Sequence, residues 1–141
     1  MRGILAGGLA AGTLDAALAF ALYGWGMPRG IASGLIGREA FQGGAGTWAL
    51  GLVLHFTIAL IAAAIYGLSS RRLEFLRVHF VICGLFYGIA VYLVMNLVVL
   101  PLSAYPLPVG PFTVAALWKG LLGHMLVIGL PISTGVSRFS R

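Results

Sequence analysis

Carboxylates are nearly absent from this chain. Three Asp and Glu residues stand against nine Lys and Arg in 141 residues, and charged residues of all kinds make up only 9%. That leaves no paired carboxylates for general acid–base work. The sequence also lacks G-x-x-x-x-G-K-[S/T], H-E-x-x-H and G-x-S-x-G, so phosphoryl transfer and hydrolysis have no visible machinery. The reading leans away from an enzyme. Cysteine occurs once, as Cys83 inside an apolar run, which excludes an internal disulfide and any multi-cysteine zinc or iron–sulfur site. Packing is the expected role of Cys83.

What the chain has in abundance is apolar surface. Hydrophobic residues account for 60% of it and the mean hydropathy is +1.03. A soluble domain of this size could not hide so much, whereas a bilayer solvates the outer faces of helices directly. Four runs of about 22 residues, Gly3–Gly24, Thr47–Leu68, Val78–Leu100 and Phe112–Thr134, each give roughly 33 Å of helix, enough to span. None alternates with a period of two, which argues against barrel strands. The expectation is one all-α transmembrane domain over residues 1–141 with four spanning helices. The first run is not read as a cleaved signal, because Asp15 interrupts its apolar core.

The net charge of +6 does not point to nucleic acid, because the basic residues sit at the ends of apolar runs and form no basic face. Arg2, Arg71, Arg72, Arg77, Arg138 and Arg141 fall on one side of the four spans; Arg29, Arg38 and Lys119 fall on the other. By the positive-inside rule both termini and the Arg71–Arg72 loop are expected in the cytoplasm, with Arg71, Arg72 and Arg77 among lipid head groups. Tyr23, Trp25, Trp48, Tyr105 and Trp118 would form an aromatic belt at the opposite interface. The pattern Ile31–Phe41, stopped by Gln42-Gly43-Gly44, predicts a short interfacial helix carrying Arg38 and Glu39 in the first outer loop. Pro101, Pro106, Pro108 and Pro111 predict a stiff, extended second outer loop.

Two sets of residues carry the functional question. Gly3, Gly7, Gly8 and Gly12 in the first span and Gly84 and Gly88 in the third form small-residue faces, which serve packing within one chain or against another. Asp15, His55 and His124 fall within about 5 Å of the bilayer midplane, with Asn96 and Lys119 nearer the outer face. Ionisable groups there are costly, roughly 2.5–3.5 kcal/mol for Asp at a helix centre, so each needs a partner or a role. A polar pocket opening outward beneath the proline-rich loop is the simplest arrangement for this cluster; snorkelling is the simpler account of Lys119. His79, beside the arginine loop, reads as interfacial.

Asn96-Leu97-Val98-Val99-Leu100-Pro101-Leu102-Ser103, the Ile31–Phe41 segment with its glycine stop, and Gly120-Leu121-Leu122-Gly123-His124-Met125 resemble a group of small bacterial inner-membrane proteins. The larger YagU-like inner-membrane proteins are similar more weakly. The resemblance implies four spans in a bacterial cytoplasmic membrane and brings no activity with it.

Three functional readings follow. The first is an accessory, assembly or structural subunit of a larger membrane complex, or a homo-oligomer, acting through helix contacts. The alternative is a small transporter or proton-relay element using Asp15, His55 and His124. The third is a redox module with His55 and His124 as axial ligands of haem b, or as ligands of a metal. One further pattern bears on architecture. Gly51-Leu52-x-x-His55 recurs as Gly120-Leu121-x-x-His124, offset by 69, and Gly8-Leu9-x-x-Gly12 recurs as Gly84-Leu85-x-x-Gly88. A parallel 2+2 tandem repeat about an axis along the membrane normal would produce this, with the glycine before each histidine making room for its ring.

Overall fold

The computed structural model describes residues 1–108 and 113–139. Pro111, the expected start of the fourth span at Phe112, and Arg141 lie outside them. Four helices are long and apolar enough to cross a membrane: α1 (Arg2–Tyr23), α3 (Ala45–Arg72), α5 (Phe80–Leu102) and α6 (Val114–Phe139). Two short helices join them, α2 (Met27–Ile36) and α4 (Phe75–Val78). No strand occurs among the described residues. The expected all-α membrane architecture with four spans is the one found. At 28 residues α3 is roughly 42 Å long, so Arg71 and Arg72 extend past a hydrocarbon core of about 30 Å.

The first connecting segment differs from expectation. Its helix begins four residues earlier, where Pro28 occupies the first turn and its missing N–H costs nothing. It stops at Gly37, whose φ of 72° suits glycine, and a 3-10 turn over Gly37–Gln42 carries the exposed Arg38 and Glu39. Gln42-Gly43-Gly44 ends only that turn. Nor does α2 simply rest on the bilayer surface: Pro28, Ala32 and Ser33 are buried while Leu35 and Ile36 face outward. Small residues point in and large apolar ones out, as lipid-solvated helices require. Gly51 of α3 is the notch that admits α2, since a Cβ there would collide with the Pro28 carbonyl.

The same rule builds the bundle. On α1, Gly8 and Gly12 face Leu60, Ala63, Phe56 and Ala59 of α3, while Gly3 and Gly7 face Ile132 and Gly135 of α6. On α5, Gly84 and Gly88 receive Gly129, Ser133 and the His124 backbone of α6. Each small-residue face singled out in the sequence is thus occupied within the chain. Ala11, Ala62, Ala63, Tyr66, Ile128, Ile132 and Val136 form the core. Tyrosines tie α3 to its neighbours: the Tyr87 hydroxyl of α5 donates to Ala62 O of α3, and the Tyr66 hydroxyl of α3 to Leu76 O of α4, both at 2.7 Å. Their rings meet edge-on at 5.0 Å.

The proposed repeat finds a counterpart in these contacts. Gly12 meets Phe56, the residue after His55, and Gly88 meets Met125, the residue after His124. One turn further along, Gly8 meets Leu60 and Gly84 meets Gly129. Both pairs of partners are separated by the same 69 residues as the histidines.

Two helices widen locally. A π-turn over Met95–Val99 precedes Leu100-Pro101 in α5, and another over His124–Gly129 precedes Leu130-Pro131 in α6. Proline has no N–H for the carbonyl four residues back and presses its ring against it, so a wider turn relieves both defects. Pro101 therefore lies within α5 and is not part of an extended loop. Beyond it, Ala104 N–H donates to Gly34 O at 2.9 Å and fastens the end of α5 to α2.

Candidate functional site, a membrane carboxylate paired with a histidine

Asp15 lies midway along α1, whose two sides are covered by α3 and α6. Each neighbour contributes a histidine. His55 of α3 is buried, with its Nδ1 4.0 Å from Asp15 Oδ2, and Asp15 is 22% exposed. His124 of α6 follows Gly123, which packs against Leu18 of α1, one turn along from Asp15. Of the expected polar cluster the structure pairs His55 with Asp15, while His124 stands on the neighbouring helix, bonded to its own Gly120 O. Asn96 is apart from them: its Nδ2 donates to Tyr92 O, one turn back on its own helix, at 2.9 Å. Lys119 is exposed. The two best-defined cavities lie at the other end of the bundle, near the Arg71–Arg72 turn, and not beneath the proline-rich segment.

The hydrogen bonds determine the proton positions. A carbonyl only accepts, so His55 Nε2–H donates to Gly12 O at 2.9 Å. In a neutral ring Nδ1 then carries a lone pair, and that lone pair faces the Asp15 carboxylate. Lone pair against carboxylate is repulsive. The pair becomes attractive once it holds one more proton, either on Asp15 or on Nδ1 as imidazolium. On the other side, His124 Nδ1–H donates to Gly120 O at 3.1 Å, which leaves Nε2 as the titrating nitrogen. Each imidazole is fixed through one nitrogen to a backbone carbonyl, which leaves the other without a backbone partner.

The glycines before the histidines do a different job from the one expected. Gly51 admits the Pro28 carbonyl, and Gly120 admits the Tyr92 ring; neither space is used by an imidazole. Tyr92 packs edge-on against His124 at 5.2 Å. Sequence reasoning missed this buried tyrosine, although Gly84, Gly88 and Tyr92 recur every four residues on one helical face. It also missed that His124 opens the π-turn of α6.

Haem b does not fit here. For iron His55 offers only Nδ1, because Nε2 is held by Gly12 O, and that nitrogen faces Asp15 4.0 Å away in place of an open ligand position. Among the described residues no three His, Cys, Asp or Glu side chains converge to hold a metal ion.

No protein-family model, curated protein or solved structure matches this chain at a significant level.

Proposed function

We propose that this is a small proton-handling membrane protein, a transporter or relay element in which Asp15, His55 and His124 hold and pass a proton. The observation that carries the reading is a carboxylate within a spanning helix paired with the His55 imidazole of a second, with His124 on the third helix packed against α1; each ring has one nitrogen fixed to a carbonyl. Such groups are costly in a bilayer and are characteristic of proton pathways. Toward the arginine end the site is sealed by the apolar core of Ala62, Ala63, Ile128 and Ile132. Exchange with both aqueous phases therefore requires movement, and the π-turn that begins at His124 is the place for it. In this reading the arginine end faces the cytoplasm, as the positive-inside rule expects.

The accessory-subunit or homo-oligomer reading rested on the small-residue faces. Their occupation inside the chain leaves any partner the large apolar side chains, which the bilayer also solvates. That shifts weight to the polar site.

Proteoliposomes loaded with a pH-sensitive dye and driven by a potassium diffusion potential test the proposal. Wild-type protein should carry protons well above protein-free vesicles. Asp15→Asn should reduce that flux roughly tenfold or more, and exposed Lys119→Gln should leave it unchanged. Wild-type flux equal to that of empty vesicles, or undiminished flux in Asp15→Asn, would overturn the reading.

A further inference from the structure

At the arginine end an open cavity of about 350 Å³ is bordered by Arg2 from the start of α1, Ser70 and Arg71 from the last turns of α3, and Arg77 from α4, with Arg2 and Arg71 at its exposed rim. Ile4 and Phe139 wall it. The sequence puts Arg2 on the same side of the spans as the other two but does not say that they meet. Arg2 arrives there because the glycine faces hold α1 tightly between α3 and α6. Arg72, grouped with Arg71 and Arg77 by position alone, does not line the cavity.

Three guanidinium groups around one small cavity repel one another unless an anion joins them. Among the described residues no carboxylate lines the cavity, and the only ion pair is His55 with Asp15. Arg77 Nε is buried without a hydrogen-bond partner. The Arg77 backbone is meanwhile held in place, because the Ser137 hydroxyl donates to its carbonyl at 3.0 Å. A buried, unsatisfied guanidinium N–H is costly and marks a missing acceptor. Tetrahedral oxyanions match guanidinium forks in charge and geometry, and the volume lies near the lower end, about 300 Å³, of small-molecule sites.

We propose that Arg2, Arg71 and Arg77 form a phosphate-binding pocket that takes a phosphate ester, from either an anionic phospholipid head group or a soluble phosphate. It is independent of the proton site. The test uses the full chain in phosphatidylcholine nanodiscs. In one arm glycerol 3-phosphate is titrated by calorimetry; in the other, nanodiscs containing phosphatidylglycerol are compared for lipid retention by native mass spectrometry. Arg2→Gln and Arg77→Gln should weaken binding roughly tenfold or more, while Arg72→Gln, with the same loss of charge, should stay within about twofold. If Arg77→Gln fails to fold, Arg2→Gln decides alone. Binding in the first arm points to a soluble ester and binding only in the second to a lipid; either supports the pocket. Equal weakening by Arg72→Gln and Arg2→Gln would show a diffuse surface field, and no binding in either arm would leave no phosphate site; both results overturn the proposal.

Discussion

In the α1–α3 pair a glycine of the first helix packs against the residue that follows a histidine in the second, and in the α5–α6 pair the same thing happens again. Around that shared register the chemistry diverges. Asp15 in the first pair corresponds to Val91 in the second, and Tyr92 corresponds to Ala16. His55 reaches across to a carbonyl of the neighbouring helix; His124 turns back to a carbonyl of its own. The cause is what fills the glycine notch one turn earlier: the chain entering α2 beside His55, an aromatic ring beside His124. A repeated packing pattern thus fixes where helices cross. It does not fix what the side chains at the crossing do, and here only the first pair supplies a carboxylate.

The strongest way to break the comparison is at the glycines themselves. A Cβ on Gly12 would press on the Phe56 ring, which can turn aside, whereas a Cβ on Gly88 would press on the backbone of His124 and Met125, which cannot. Gly88→Ala should therefore cost about 3 kcal/mol and Gly12→Ala about 1 kcal/mol in denaturant unfolding from micelles. Equal losses would mean that the two crossings are alike in tightness as well as in register.

Much of the architecture was legible because hydropathy reports length and composition directly: all four spans start or end within a few residues of their expected limits. The misplaced α2 has a specific cause. Ile31, Leu35 and Ile36 have helical spacing, yet two of them face outward, so following the apolar stripe drew the helix too far along and passed over Pro28 and Gly37. The polar cluster was readable as membrane carboxylate plus histidines. Its membership was not, because a side chain such as Asn96 can satisfy itself on its own backbone, and only geometry distinguishes that from a bond to another helix. Arg2 was invisible as a partner of Arg77 because nothing in the sequence says which helix ends converge.

A second, smaller effect sharpens the difference in chemistry. Val91 packs against the apolar core, so Val91→Asp places a carboxylate among apolar neighbours. It should destabilise the protein by about 2–3 kcal/mol, the usual cost of a central membrane carboxylate. Asp15→Val removes such a charge while leaving His55 bonded to Gly12 O, and should change stability by less than about 1 kcal/mol. Both are read from unfolding in the same micelles. A Val91→Asp protein as stable as wild type would show that the second pair can also house a carboxylate, and the asymmetry would lose its meaning.

The mildest perturbation probes where the two pairs are joined. Gly34 of α2 and Ser103 at the end of α5 face each other, with a Cβ on Gly34 lying 3.8 Å from that of Ser103. A disulfide asks for a Cβ separation of about 3.8 Å, so Gly34→Cys with Ser103→Cys, in a Cys83→Ala background, should oxidise readily within one chain and leave the fold intact. Mobility on denaturing gels, with and without reductant, reads the yield. The same pair tests the π-turn before Pro101. No residue of Met95–Val99 is buried, so neighbours do little to hold the turn and the proline is its main cause. Adding Pro101→Ala should let the segment return to ordinary α-helix, which turns Ser103 away by up to roughly 100° and lowers the cross-linking yield several-fold. In α6 the corresponding turn is clasped by Gly84 and Gly88, so Pro131→Ala should leave the yield unchanged. Failure of the parent pair to cross-link would overturn the docking of α2 onto the end of α5. Full cross-linking in Pro101→Ala would show instead that packing, and not the missing N–H, sets both turns.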